Sequence, residues 1–586
     1  MPLRVRSSFS RSSFASYLIA STALLLLATT SPYAIERHPA PSVSSERITS
    51  LPGNTTQLSN GGDETPLGVA VSGIVVNDSV ANLPAHNVQG VAIQSANPTI
   101  NQDALHQILG KYLGQPLSFK LIGDIRKDIV SHMRANDRPL VAVVVPPQEI
   151  TGGTLRIAVL PFKLGDKKVE RIPSDHQRTG EEEILNEVRA QSGDEINSAE
   201  LISDLNWLNR SPYRKVGVIF SEGGKPGSTD LTLTLRDDKP WQVFGGYTNS
   251  GTKSTGYHRL FGGFAAELPW DALISYQMVA SPDTLFSDGS LFQLDGKKAY
   301  LSNAFAYTQH LEDRSKLTLT GNHIRTRAKL THPFVQDSKI TELGGEYAFP
   351  LERFSPIKEA FVGFDAKWQQ VEREFNGTGL GPSNIDIYQL KAGLRGDWSK
   401  GRHSFDYELT GVLSPGGISG DNTNAAYRAF TNNQSAKARY AYLRGWMDYS
   451  LSLPSDFSFD LSTRLQLASD ALPGLEQFDL GGRSSVRGYQ TGEVAGDHGI
   501  SIQAELHAPV FKQGQFAADL FAFADYGITR DIAASKDHEL ASLGLGVNTA
   551  FADHIALRTS WGHVLQAGTT TKKNDNRFDV ILTMQF

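Results

Sequence analysis

The segment Gly481–Glu493, GGRSSVRGYQTGE, places Arg487 between Val486 and a Gly488-Tyr489 pair, in a loop flanked by two strand-like runs. Its glycines let the chain fold back into a confined space. A guanidinium held there requires a carboxylate, because a buried charge is tolerated only when it is paired. Further on, FAADLFAFADYG alternates so that Asp519, Phe521, Phe523 and Asp525 share one face, opposite Leu520, Ala522, Ala524 and Tyr526. An arginine meeting an aspartate of that face would form a charge-assisted clamp, which positions a loop and does not react. Alternation alone leaves other acids open as the partner.

Reactive sets are missing from the sequence. It has no HExxH, no GxSxG elbow and no Walker A loop; GGKPGST has the wrong spacing. The histidines are scattered, and Glu181, Glu182 and Glu183 read as acids favouring a helix N-terminus. The absence of cysteine excludes disulfides, thiolate zinc sites and a cysteine nucleophile. A net charge of −6 over 586 residues carries no electrostatic footprint for nucleic acid. Neither a metal nor another cofactor is expected, nor an enzymatic activity.

The elements that position Arg487 follow from the chain's organisation. Arg4, Arg6 and Arg11 precede an apolar run from Tyr17 to Ala28, with small residues up to Ala34. This is the pattern of a secretory signal peptide over residues 1–34, with a run too short to span a bilayer comfortably. No later stretch is apolar enough for a membrane helix, so the exported chain is either soluble or spans a membrane as a β-barrel. Residues 35–85, rich in Ser, Thr, Pro, Gly and Asn, read as a flexible linker. Residues 86–163 read as strand, helix, helix, strand, strand. Thr99 and Gln102 suggest a capping box, and a helix near 118–134 carries Leu121, Ile122, Ile125, Ile129, Val130 and Met133 on one side. The same order recurs over 164–238, so two small α+β domains stand in series.

From residue 239 onward the helical period disappears. Sixteen alternating segments, the first near Trp241 and the last ending at Phe586, are separated by connections that alternate between long and short. Long stretches such as 281–297, 415–435 and 470–498 alternate with short ones such as LPW, LPSD and KQG. An even count with this asymmetry describes an outer-membrane barrel. In the last strand Phe578, Val580, Leu582, Met584 and Phe586 suit lipid, while Asp579, Thr583 and Gln585, with Ile581, face a lumen. A soluble sandwich or propeller would leave the alternating loop lengths unexplained.

These residues carry a resemblance. Val486, Arg487, Gly488 and Tyr489, followed one strand later by Phe523, Asp525 and Gly527, resemble the two signature motifs of the outer-membrane assembly and transport superfamily that includes BamA. PPQEITGGTLRIAVL, LNRSPYRKVGVIFSEGGKPGSTDLTLTLRD and YTNSGTKSTG resemble, within it, segments of the two-partner secretion transporters of the haemolysin-activator and filamentous-haemagglutinin-exporter type. The resemblance covers about residues 86–586. It implies two periplasmic POTRA domains, an outer-membrane location and Arg487 paired with Asp525 inside the barrel. It also implies export of a large unfolded exoprotein bearing an N-terminal secretion domain, with lipid around a monomeric barrel. Relatives commonly begin with a helix that plugs the barrel, but residues 35–85 show no amphipathic helix of useful length. Substrate capture by strand addition points to Tyr213, Val216 and Val218 and to Val141 and Val143 as receiving edges. Assembly factor, diffusion porin and exported enzyme are the competing classes.

Overall fold

The computed structural model describes residues 41, 63–100, 102–225, 227–286, 299–330, 334–351, 357–552 and 554–586. The signal-peptide reading of residues 1–34 lies outside them, as do residues 35–40 and 42–62 of the stretch read as a linker without a plug helix. The chain divides into one compact unit over Ser45–Lys239 and a second that contains Pro240–Phe586.

The first unit holds two α+β domains. In the first, the sheet runs Gly90–Gln94, Gly73–Asn77, Thr154–Pro161, Val141–Val144. Helices Asp103–Gly110 and Phe119–Ala135 pack on it through Leu105, Leu109, Ile125, Ile129 and Met133, against Ile74, Val76, Ile157 and Val159. Ser118 starts the longer helix by accepting the amide of Leu121 at 3.1 Å. Two expectations are corrected here. The strand Gly73–Asn77 lies inside the stretch read as linker, between two parallel neighbours at the middle of the sheet. All five of its residues are buried, so it lacks the alternation by which a one-sided strand is recognised. The capping box also fails to form: Gln102 is the N-cap of the first helix and makes no side-chain cap bond.

The second domain orders its strands Lys163–Arg171, Ser228–Asp237, Arg214–Glu222. Helices Glu181–Glu187 and Ser198–Leu208 bury Ile184, Leu201, Leu205 and Leu208 against Val216, Leu231, Leu233 and Leu235. The three glutamates form the first turn of their helix. At the sheet's end, Asp237 accepts the amides of Arg178 and Thr179 at 2.9 and 3.1 Å and the Thr179 hydroxyl at 2.7 Å. Burial alone would raise its pKa. These hydrogen bonds to the carboxylate outweigh burial and leave it below the ordinary aspartate value.

The second unit is a closed antiparallel barrel of sixteen strand positions, from Trp241–Thr248 to Asn576–Gln585. The twelfth position is broken into His498–His507 and Phe511–Gln513, both paired with Phe516–Asp531. The ring closes through five registered pairs, Ile581 opposite Thr248 to Gln585 opposite Phe244. No described helix is long and apolar enough to cross a membrane, which leaves spanning to the strands. On the last strand Phe578 and Phe586 are exposed, whereas Asp579, Ile581 and Thr583 are buried, so the two faces separate as their chemistry requires.

The middle strands exceed the expected length of about ten residues. Ile357–Phe375 and Thr378–Lys400 have 19 and 23 residues. They meet at an Asn376-Gly377 turn with φ of +49° and +80°, the left-handed pair that a tight hairpin needs. One buried residue from the chain's start also belongs to this unit: the Pro41 carbonyl accepts the Ser275 hydroxyl at 2.9 Å, on the lumen side of Ala272–Ala280.

Candidate functional site

Arg487 lies at the tip of an inward hairpin. Its stem pairs Phe478–Leu480 with Val494–Gly496, and its apolar side chains Leu480, Val486 and Tyr489 pack against Leu540 and Val564 of the wall. Glycines make the approach possible. A Cβ on Gly527 would sit 2.6 Å from a Leu480 methyl, and one on Gly562 would sit 2.7 Å from the Gly488 nitrogen. Gly488 has φ of +90°, a conformation that costs a side chain dearly.

At the wall the arginine meets three partners. Its backbone N–H and its Nε donate to Asp525 Oδ2 at 2.9 and 2.7 Å, and Nη2 donates to Oδ1 at 2.6 Å. Nη1 donates to Glu505. The guanidinium lies 3.6 Å from the centre of the Phe523 ring, within cation–π range. The Arg487 side chain is 1% exposed and that of Asp525 is 0% exposed, so this part of the lumen is dry. Tyr489 donates its hydroxyl to the carbonyls of Ala541 and Gln566 at 2.9 and 2.6 Å. Val486, Arg487, Gly488, Tyr489, Phe523, Asp525 and Gly527 thus converge on one locus.

Other members of this locus escaped the sequence reading. Glu505 bridges Arg487 to Arg558, whose guanidinium lies 4.5 Å from the Phe521 ring centre. Phe521 and Phe523 in turn lie over Gly546 and Gly544 of the next strand, where a side chain would collide with the rings. Beyond Arg487, Glu493 takes the Thr571 amide and hydroxyl, both at 2.8 Å, and ties the hairpin to the last long loop. The signal for Glu505 is its parity in SIQAELH, which becomes usable only once that strand's inward face is known.

The proposed receiving edges fare unevenly. Val141–Val144 and Arg214–Glu222 are outer strands of their sheets. Tyr213 is corrected: it precedes the strand, is buried, and its carbonyl already accepts the Asp238 amide at 2.8 Å. Val216 is also occupied. Its N–H donates to Asn209 Oδ1 and its carbonyl accepts Asn209 Nδ2, both at 2.8 Å. Val143 and Val216 point their side chains into the cores, while Val141 and Val218 are half-buried.

Two more amides behave like Asn209. Gln148 exchanges two 2.8 Å bonds with the backbone of Arg156. Asn249 donates to the Phe578 carbonyl at 2.6 Å and accepts the Val580 amide at 2.9 Å, which lengthens the barrel's closing ladder. Gln148 and Asn249 stand where a neighbouring strand has ended, and Asn209 caps the helix Ser198–Leu208 beside an edge strand; each supplies a missing donor and acceptor. Each lies in a segment that carried the family resemblance.

A closed sixteen-stranded barrel, two α+β domains and a loop clamped to the inner wall define an outer-membrane transporter. Comparison with known proteins specifies which kind. A family model described as haemolysin secretion/activation protein ShlB/FhaC/HecB matches residues 227–549, and one for the POTRA domain of ShlB type matches residues 86–161. The chain is 24% identical over 486 residues to the heme/hemopexin transporter protein HuxB of Haemophilus influenzae, covering 79% of this chain and 81% of that one. It is 24% identical over 485 residues to the outer membrane transporter CdiB-2 of Burkholderia pseudomallei, covering 79% and 77%. CdiB from Escherichia coli superposes with a TM-score of 0.62 at 16% identity, over 92% of this chain and 94% of that chain. The chain belongs to the haemolysin secretion/activation family. It is a two-partner secretion transporter that exports partner protein across the outer membrane.

Proposed function

We propose that the exported partner is a large exoprotein that crosses unfolded, led by an N-terminal secretion domain, and that the POTRA sheets capture it as an added strand. The edge strand Arg214–Glu222 carries this reading. In its antiparallel pairing with Ser228–Asp237, Val216 turns its N–H and carbonyl away from the ladder, toward Asn209. By alternation Val218 and Phe220 also turn theirs outward, and among the described residues they have no partner. An extended segment gains main-chain hydrogen bonds there with little demand on its side chains. Asn209 occupies the first outward position, so the incoming strand starts at Val218, not at Tyr213 or Val216. Val141–Val144 offers a second edge in the first domain.

No nucleotide site is evident in the sequence, and net movement comes from folding of the emerged chain, which opposes its return. The apolar outer wall faces lipid, and a ring without free edges supports action as a monomer. Val218→Pro in the full-length transporter removes one outward N–H, whereas Val218→Thr keeps it. The proline variant should lose site-specific crosslinking to the partner's secretion domain and lose secretion, and the threonine variant should retain both. Equal crosslinking by the two variants would move capture elsewhere.

A further inference from the structure

The loop between His403–Ser414 and Tyr440–Ser452, residues 415–439, centres its hydrogen bonds to the wall on one residue, Asp386. Thr378–Lys400 outruns its neighbour: their last registered pair on this side is Leu390 with Leu413, and the longer strand continues past it. The loop lies along that overhang. The Asp386 amide donates to the Asp421 carbonyl at 3.1 Å. The Asp386 carbonyl accepts Asn422 Nδ2 at 2.8 Å and the Tyr427 hydroxyl at 2.9 Å. The Asp386 carboxylate accepts the Ser419 hydroxyl at 2.6 Å. One residue of the wall thus takes part in four bonds from a single loop.

The loop's interior is ordered by its own chemistry. Thr423 caps the helix Asn424–Thr431 by accepting the Ala426 amide at 3.2 Å, and Asn432 ends it in the left-handed region. Tyr427 and Asn422 are fully buried. Tyr427 belongs to an apolar cluster with Ile385 and Ile387 of the lumen face and with Leu472 and Leu475. The last two stand at the root of the loop that carries Arg487. The cluster continues along the inner wall through Ile324 and Ile340. A loop fixed only for solubility would not bury a tyrosine against lumen-facing isoleucines.

We infer that residues 415–439 form a cap over the outer end of the lumen, latched on Asp386 and braced by the root of the inward hairpin, which must lift before a polypeptide emerges. This rests on the export reading only for its second half, because closure of a pore can be measured without substrate. The bonds to Asp386 are few and local, so the cap can open while the ladder of the wall stays intact.

Two variants of the full-length protein test this. Asn422→Ala with Tyr427→Phe removes both bonds to the Asp386 carbonyl. In planar bilayers it should raise the open probability of the pore about tenfold, as expected for two ordinary hydrogen bonds. Ser419→Cys with Asp386→Cys, in a chain with no cysteine of its own, allows the latch to be locked by oxidation. The oxidised form should be silent in bilayers and secrete nothing, and reduction should restore both. Heat-modifiable migration of each variant certifies a folded barrel. An oxidised form that conducts and secretes like the reduced one, or a loosened variant with unchanged open probability, overturns the cap. If the reduced form gates as described while no partner is exported even by the wild type, the export reading fails and the cap stands.

Discussion

Replacing Arg487 by alanine removes two hydrogen bonds from Asp525, one from Glu505 and the ring contact with Phe523. Only the bond from the backbone N–H of residue 487 can persist. The magnitude follows from what remains. Asp525 has a fully buried side chain and retains no countercharge of its own, whereas Glu505 retains Arg558. Removing one partner of a buried ion pair costs about 3–5 kcal/mol. A wet lumen would reduce that, but the pair is 1% and 0% exposed, so the upper half of the range applies. Docking of the hairpin should therefore weaken by roughly three to four powers of ten. Asp525→Ala is milder, because Arg487 keeps Glu505. Arg487→Lys should fall between them: an ammonium keeps the charge but cannot reproduce the planar fork. The assay is hydrogen exchange across residues 481–493 in the purified transporter, with secretion as the functional readout. In a double-mutant cycle the Arg487→Ala and Asp525→Ala defects should couple by more than 1 kcal/mol, a threshold set by ordinary additivity errors. Additive defects, or a milder effect for Arg487→Ala than for Asp525→Ala, would refute the reasoning.

Three further outcomes follow from other parts of the chain. Gly562→Ala places a methyl 2.7 Å from the Gly488 nitrogen, so the hairpin must retreat at a cost of about 1–3 kcal/mol; faster exchange at Val486–Tyr489 with an intact barrel is the expected readout. Asn209→Ala strips the donor and acceptor from Val216 and should lower the second POTRA domain's stability by about 1–3 kcal/mol, read as an earlier unfolding transition. Asp237, with its pKa below the usual value, adds stability that is complete above the ordinary aspartate pKa near 3.8 and is lost as pH falls below it. Exchange at residues 172–187 should accelerate on acidification from about pH 6 to about pH 3 in the wild type and change less in Asp237→Asn.

What could be read from the sequence depended on whether a residue's role was local. Asp525 announced its face because its strand alternates without a break, and the glycines around Arg487 declared a turn. Glu505 did not announce itself, since its meaning arises from register with two other strands. The strand Gly73–Asn77 was hidden by burial on both faces. The Asn376-Gly377 hairpin was masked by Gly379, Gly381 and Pro382, which sit inside the following strand yet read as loop residues. The helix Asn424–Thr431 is short and its burial depends on a distant residue, Asp386, so loop 415–435 looked like an open external segment. The three backbone-substituting amides were visible as motif members, but their function needed the strand ends and the helix end around them.

The account's central claim is that this barrel exports a partner protein and does so through the clamped hairpin. The most direct measurement is the amount of partner exoprotein in the culture medium, in a strain that makes the exoprotein with wild-type transporter, with Arg487→Ala or with none. The account predicts abundant exoprotein with the wild type and a large loss with Arg487→Ala at equal levels of folded barrel. Without the transporter the exoprotein should be retained inside the outer membrane. Exoprotein reaching the medium equally in all three strains would contradict it.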